Sequence, residues 1–343
     1  MNRRAVSLVA VVLLLSGAAP GAASDQGGNA VVAEVDGVKL TLADFEARSA
    51  GTLFQARNDF YIAERKALEG VIDNFLLEQQ AQKENLSVAQ LIDRHVNQAI
   101  AKDPDEAALR VFYEGLDTNE PFEAVHDKIL ESLRQRRIAR ARTAYLQALR
   151  SQAKISVLIA PPRVPISLAN TPVRGVTGAP LTLVEFADFE CPYCQQVQPA
   201  LNQIEAEYKG RIAFAYKNFP LPIHLHAQKA AEAAECAGLQ KKYWEYHDLL
   251  LQNPGLEIPQ LKARARELGL DSQRFDTCLD SGDRAAAVKA HAEEAARLGL
   301  QGTPSFFLNG RFFSGVVTEE QLRQILEEEL QRIPAQRTDA PIR

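Results

Sequence analysis

Apolar and polar positions divide the chain into a helical first half and a mixed second half. Val31 to Leu40 alternates around Asp36-Gly37, which predicts a two-stranded hairpin. Thr41 stands where a helix N-cap belongs. Leu68, Val71, Ile72, Phe75, Leu76 and Ala81 then recur on one helical face, predicting a long helix to about Asn85. Ser87 to Ala101 reads as a second helix, and Asp103-Pro104 opens a third with Leu109, Phe112 and Tyr113 as its apolar positions. Pro121 starts a long helix to about Ala153, and Lys154 to Ile159 reads as one more strand. Ala160-Pro161-Pro162-Arg163-Val164-Pro165 has the proline content of a semi-rigid linker, and Gly175 to Pro180 is rich in turn residues, so 161–180 is taken as a connecting segment.

The second half reads differently. An apolar run from Leu181 to Ala187 suits a buried strand, and a helical pattern to about Tyr208 follows at once. Arg211 to Tyr216 reads as a strand. An alanine-rich helical block then fills 226–298, broken at Pro254-Gly255, Gly269 and Gly282. Ser305 to Leu308 and Arg311 to Phe313 pair across Asn309-Gly310, a strong hairpin signal. Thr318 with Gln321 forms a capping box for a final helix ending near Arg332, and 334–343, without periodicity, is expected to be disordered.

Composition changes this picture little. The 343 residues suffice for two domains with their own cores, and 46% hydrophobic with 24% charged residues is ordinary for a folded protein. A net charge of −5 gives no reason to expect a nucleic-acid partner. The arginines of the long helix, Arg134, Arg136, Arg137, Arg140 and Arg142, are therefore expected to form a solvated face. Residues 1–24 have the pattern of a signal peptide. Asn2-Arg3-Arg4 is basic, Ala5 to Leu15 is apolar but too short to span a bilayer comfortably, and small residues allow cleavage after Ala23 or Ser24. An exported protein is expected, in a compartment where disulfides persist.

The candidate chemistry lies in Phe186-Ala187-Asp188-Phe189-Glu190-Cys191-Pro192-Tyr193-Cys194. Strand, C-x-x-C and helix in immediate succession put Cys191 at a helix N-terminus, where unpaired N–H groups and the helix dipole favour a thiolate. Pro192 suits the first turn, and Cys194, one turn on, can close a disulfide with Cys191. A zinc site would need a second ligand pair at short spacing, and neither Cys236 with Cys278 nor His224 with His226 supplies one. No metal and no cofactor are expected.

These residues, with Gly302-Thr303-Pro304-Ser305-Phe306-Phe307 far downstream, resemble the thioredoxin-fold disulfide oxidoreductases of the DsbA-like group. The resemblance implies an α/β thioredoxin fold over about 181–333 with a helical insertion near 226–298. It also implies a redox-active Cys191–Cys194 pair and a cis-proline loop at Thr303-Pro304, where a client strand can pair. Glu185 matches the position of an acid that relays the proton of the second cysteine; the alternative is a salt bridge to a lysine such as Lys217. Pro-Tyr departs from the Pro-His of strong oxidants in this group, and Asp188 and Glu190 put negative charge near Cys191, so a weaker oxidant is expected unless both acids merely cap. Cys236 and Cys278 either form a structural disulfide, worth roughly 4 kcal/mol by loop entropy, or remain buried thiols. His224, His226, His247 and His291 are read as structural or surface residues.

Ala33-Glu34-Val35-Asp36-Gly37-Val38-Lys39-Leu40-Thr41-Leu42-Ala43-Asp44-Phe45 resembles the N-terminal region of SurA-type periplasmic chaperones, which implies a mainly α domain over 25–160 for oligomerisation or client binding. The combined expectation is a periplasmic protein disulfide oxidoreductase that acts on protein thiols, oxidising or isomerising client proteins. A membrane redox partner and a homo-oligomer are both compatible with it. The rivals are a peptide-binding chaperone or scaffold and a dedicated reductase of one partner.

Overall fold

The computed structural model describes residues 30–100, 102–176, 178–252 and 255–333. The expected leader and the expected tail lie outside the described residues. Strands β1 (Val31–Val35) and β2 (Val38–Thr41) form the predicted hairpin. Asp36 and Gly37 both take positive φ, as its two-residue turn requires. Thr41 closes a capping box with Asp44 at the start of α1 (Leu42–Arg48). The long helix α2 (Ala50–Glu84) ends on Asn85 in the left-handed conformation. Short α3 (Val88–Ile92) continues as a π turn over Asp93–Asn97 and a 3-10 turn over Gln98–Ile100, where one regular helix was expected. Helix α4 (Glu106–Glu114), capped by Asp105, and the long α5 (Phe122–Gln152) complete this half.

Two expectations fail here. Val71 and Phe75 of α2 are 63% and 57% exposed, while Leu77 and Ala81 are buried with Leu91 and Leu149. The buried stripe is set by where α3 and α5 cross α2, which helical period alone does not reveal. Lys154 to Ile159 is not a strand: among the described residues no segment pairs with it, Leu158 is 85% exposed, and the Val157 and Ile159 carbonyls accept from Arg332 Nη2. The linker is likewise docked. Val164 N donates to Gly310 O (3.1 Å), and Arg163 pairs with the buried Glu329.

The second half is a five-stranded sheet in the order β3-β5-β4-β6-β7, comprising β3 (Val173–Gly175), β4 (Leu181–Ala187), β5 (Ile212–Asn218), β6 (Ser305–Leu308) and β7 (Arg311–Ser314). Only β4 and β5 run parallel. Side chains alternate between the sheet faces. Leu181 and Leu183 pack on α6 (Pro192–Glu207) and the C-terminal α12 (Glu319–Arg332). Val184 and Phe186 pack on the other face with Ala295 and Leu298, from and just beyond α11 (Ala285–Arg297). The insertion supplies α7 (Ala227–Gly238), α8 (Tyr243–Gln252), α9 (Ile258–Glu267) and α10 (Ser272–Ser281), whose own core reaches Cys191 and Cys194. Cys236 of α7 and Cys278 of α10 are joined in a disulfide. The two halves meet where Phe54 of α2 enters the sheet core against Phe307 and Phe312, at 6.0 and 6.1 Å between ring centroids. No helix among the described residues is long and apolar enough to cross a membrane.

Candidate functional site

β4 ends at Ala187, and the four-residue turn after it delivers Cys191 as the N-cap of α6, with Pro192 in the first turn. Both cysteines of the C-x-x-C are free and buried, Cys191 at 3% and Cys194 at 0% exposure. The Cys191 thiol donates to Thr303 O at 3.4 Å, across the cis Thr303-Pro304 loop that precedes β6. Five groups therefore converge from three chain segments: Glu185 on β4, the cysteine pair at the head of α6, and Thr303 with Pro304.

Their electrostatics are unequal. The Cys191 thiol falls from 9.0 to about 5. A hydrogen bond with the Cys194 thiol lowers it most; burial opposes; Thr303 and the backbone N–H groups of Cys194 and Tyr193 lower it further. Burial pushes Cys194 well up, and its bond to Cys191 and the Glu185 charge add to that rise. Burial also raises Glu185 to about 8, against the pull of Gln198 and Arg174, and its Oε1 has no hydrogen-bond partner. A salt bridge from Glu185 to Lys217 is ruled out: Lys217 sits opposite Phe186 in the register, on the other face of the sheet, and pairs with Glu294.

The two acids near Cys191 do not hold its thiol up. Asp188 accepts from Glu190 N (2.8 Å), Leu221 N (2.8 Å) and His224 Nδ1 (2.7 Å), and Glu190 accepts from His226 N (2.6 Å). Both carboxylates are spent tying the loop after β5 to the turn before Cys191. Burial alone lowers the His224 pKa, but the Asp188 carboxylate, with Cys191 and Glu190 adding charge, raises it above 6.5 overall. His224 is the site residue that sequence reading missed. It lies on a different loop far along the chain, and no spacing signal links it to Cys191. His247 is buried among the rings of Phe189, Tyr216 and Trp244, and His291 accepts from Asn218 N at 3.3 Å. Burial lowers the pKa of both, that of His291 to about 4.

Tyr193, inside the C-x-x-C, and Ile223 and Leu225, which flank His224, are 59%, 83% and 85% exposed, an apolar rim. Among the described residues no group of three or more His, Cys, Asp or Glu side chains could hold a metal ion.

Two family models agree with this architecture. A thioredoxin family model matches residues 167–328, and the model of the SurA-like N-terminal domain matches residues 3–110. Among curated proteins the chain is 40% identical over 161 residues to the Na(+)/H(+) antiporter NhaA 1 of Salinispora arenicola, covering 46% of this chain and 24% of that protein. It is 38% identical over 188 residues to NhaA 3 of Salinispora tropica, covering 54% and 28%. The chain thus spans about a quarter of the length of the curated relatives it matches, and antiport is a statement about those proteins. Among solved structures it is similar to a thioredoxin-like oxidoreductase from Silicibacter pomeroyi DSS-3, with 28% identity, 47% and 93% coverage and a TM-score of 0.44. It is also similar to BdbD from Bacillus subtilis, with 21% identity, 50% and 98% coverage and a TM-score of 0.46.

Proposed function

We propose that this chain, a thioredoxin fold behind a SurA-like N-terminal domain, exchanges disulfides with the thiols of client proteins through Cys191 and Cys194. The observation that carries the reading is the asymmetry of the pair. Cys191 is a thiol lowered to about 5 at a helix N-terminus, while Cys194 is buried, raised, and next to a carboxyl at about 8. In the oxidising direction a client thiolate attacks Cys191 Sγ, the Cys191–Cys194 bond breaks, and Cys194 leaves as a thiolate that takes a proton from Glu185. The second client thiol, deprotonated, attacks the client sulfur of the mixed disulfide, and Cys191 departs as the stabilised thiolate. Two client thiols lose two electrons, and the pair gains them.

The lowered thiol favours that direction. A thiol lowered from 9.0 to about 5 is ionised at pH 7, which stabilises the reduced form and makes the disulfide more oxidising. This offsets the tyrosine that stands where a histidine would help the thiolate. Export to the periplasm fits the Cys236–Cys278 disulfide, because such bonds persist in oxidising compartments. A membrane partner that reoxidises the pair belongs to the same reading. So does a second copy docking on the N-terminal half, where Val31, Val35, Val38 and Phe75 are exposed.

The deciding experiment equilibrates the full chain with glutathione. A reduction potential near about −120 mV makes it a disulfide donor, and one near about −270 mV makes it a reductant and reverses the direction. Mixed disulfides trapped with Cys194→Ala then separate a generalist from an enzyme with one client. The exposed rim of Tyr193, Ile223 and Leu225 favours a second reading, a chaperone that only binds peptides. Full biological activity in Cys191→Ser would establish that reading instead.

A further inference from the structure

Disulfide exchange leaves one feature beside the site without a role: the face of α2 that overhangs the loop before Pro304. The helix is held there closely. An added Cβ at Gly51 would lie 2.3 Å from Arg297 O, so only glycine permits the approach. One turn on, Gln55 Nε2 donates to Leu298 O at 3.1 Å. Past that anchor α2 and the 299–305 loop diverge and enclose a cavity of about 410 Å³. Asn58, Asp59 and Ile62 wall it from α2, and Thr303 and Phe312 wall it from the sheet side.

Three observations point to an occupant. Thr303 lines the cavity although the residue is only 9% exposed, and its carbonyl accepts from Cys191. The cavity therefore begins at the residue that touches the reactive sulfur. Its walls combine polar Thr303 and the buried Asn58 with apolar Phe312 and the 55%-exposed Ile62. Peptide groups present one donor and one acceptor each, so such walls suit a polypeptide segment with apolar side chains. Among the described lining residues the single charged side chain is Asp59, which repels carboxylates and attracts cations.

We propose that this cavity receives the extended stretch of client polypeptide flanking the cysteine joined to Cys191, and that the SurA-like domain thereby forms one wall of the client site. The segment it accepts is neutral or basic. The proposal rests on the disulfide-exchange reading and adds the partner's chemistry to it.

The test follows reduction of the oxidised full chain by dithiothreitol and by two single-cysteine octapeptides, flanked by lysine or by glutamate. The unsubstituted protein is expected to react about threefold faster with the lysine peptide, and Asp59→Lys to abolish or reverse that preference. Ile62→Trp, which fills the mouth from an exposed position, is expected to slow both peptides about fivefold and leave dithiothreitol unchanged. Peptide rates unmoved by either substitution overturn the proposal, as does an equal loss with dithiothreitol. A chain that reacts with neither dithiothreitol nor peptide overturns the disulfide-exchange reading itself, a result distinct from a chain that exchanges freely but ignores α2.

Discussion

Replacing Glu185 with glutamine keeps the side chain's shape and removes an ionisable group from a site 6% exposed to solvent. Burial raises this carboxyl from 4.5 to about 8. The sign of the consequence follows from proton linkage. Between those two values the folded chain holds a proton that the unfolded chain has released, so folding weakens as pH rises from 4.5 and the loss levels off above 8. The penalty is about 3 kcal/mol at pH 7 and about 5 kcal/mol once the carboxylate is fully ionised. Glu185→Gln avoids it. The variant is therefore expected to match the original protein near pH 4.5 and to exceed it progressively up to pH 8. The assay is urea unfolding of the reduced full chain, followed by fluorescence of Trp244, the one tryptophan in the sequence. Trp244 lies on α8 with Arg174 stacked at 4.6 Å, so it reports this half of the chain whatever the N-terminal helices do. A new amide contact adds the same offset at every pH, so the slope is the quantity that decides. A stability difference independent of pH, or a variant weaker at pH 8, refutes the raised carboxyl and with it the basis for a proton relay. Disulfide exchange measured alongside should slow even as stability rises, which burial alone does not predict.

Further expectations concern the thiols and the packing. Alkylation of the reduced chain should titrate with a midpoint near pH 5 for Cys191, the thiolate being present above it, while Cys194 stays unreactive at pH 8; both lie on one tryptic peptide, so fragmentation of that peptide assigns the label. His224→Gln leaves the Asp188 charge without its 2.7 Å partner and should move the Cys191 midpoint upward; an unchanged midpoint removes His224 from the site. Replacing Cys236 and Cys278 together with serine opens a loop of sequence separation 42 and should cost about 4 kcal/mol in urea unfolding of the oxidised chain without reductant. Phe54→Ala should cost about 3–5 kcal/mol at the junction of the two halves and expose α2 to limited proteolysis before the sheet unfolds.

What was legible in advance was local. The turns at Asp36-Gly37 and Asn309-Gly310 and the caps at Thr41 and Thr318 appear where the sequence places them, because each depends on residues within a few positions of one another. The C-x-x-C belongs to the same class, since strand, turn and helix N-terminus are contiguous. Lys154 to Ile159 has strand composition but fails as a strand, because a strand exists only where another chain segment pairs with it. Strand β3 escaped notice for the converse reason. Three residues carry no pattern, and the edge of β5 makes Val173–Gly175 a strand.

The sequence by itself determined the C-x-x-C and its helix, the caps at Thr41 and Thr318 and both hairpins, since short-range sterics and hydrogen bonding suffice for each. Tertiary structure decided the rest of the centre. It set Thr303 against Cys191, hydrogen-bonded Asp188 to a histidine from a remote loop, and buried Glu185 away from Lys217. It also brought α2 over the loop before Pro304. Burial and charge at these places depend on groups far apart in the chain, and an acidity is set by everything that packs around it.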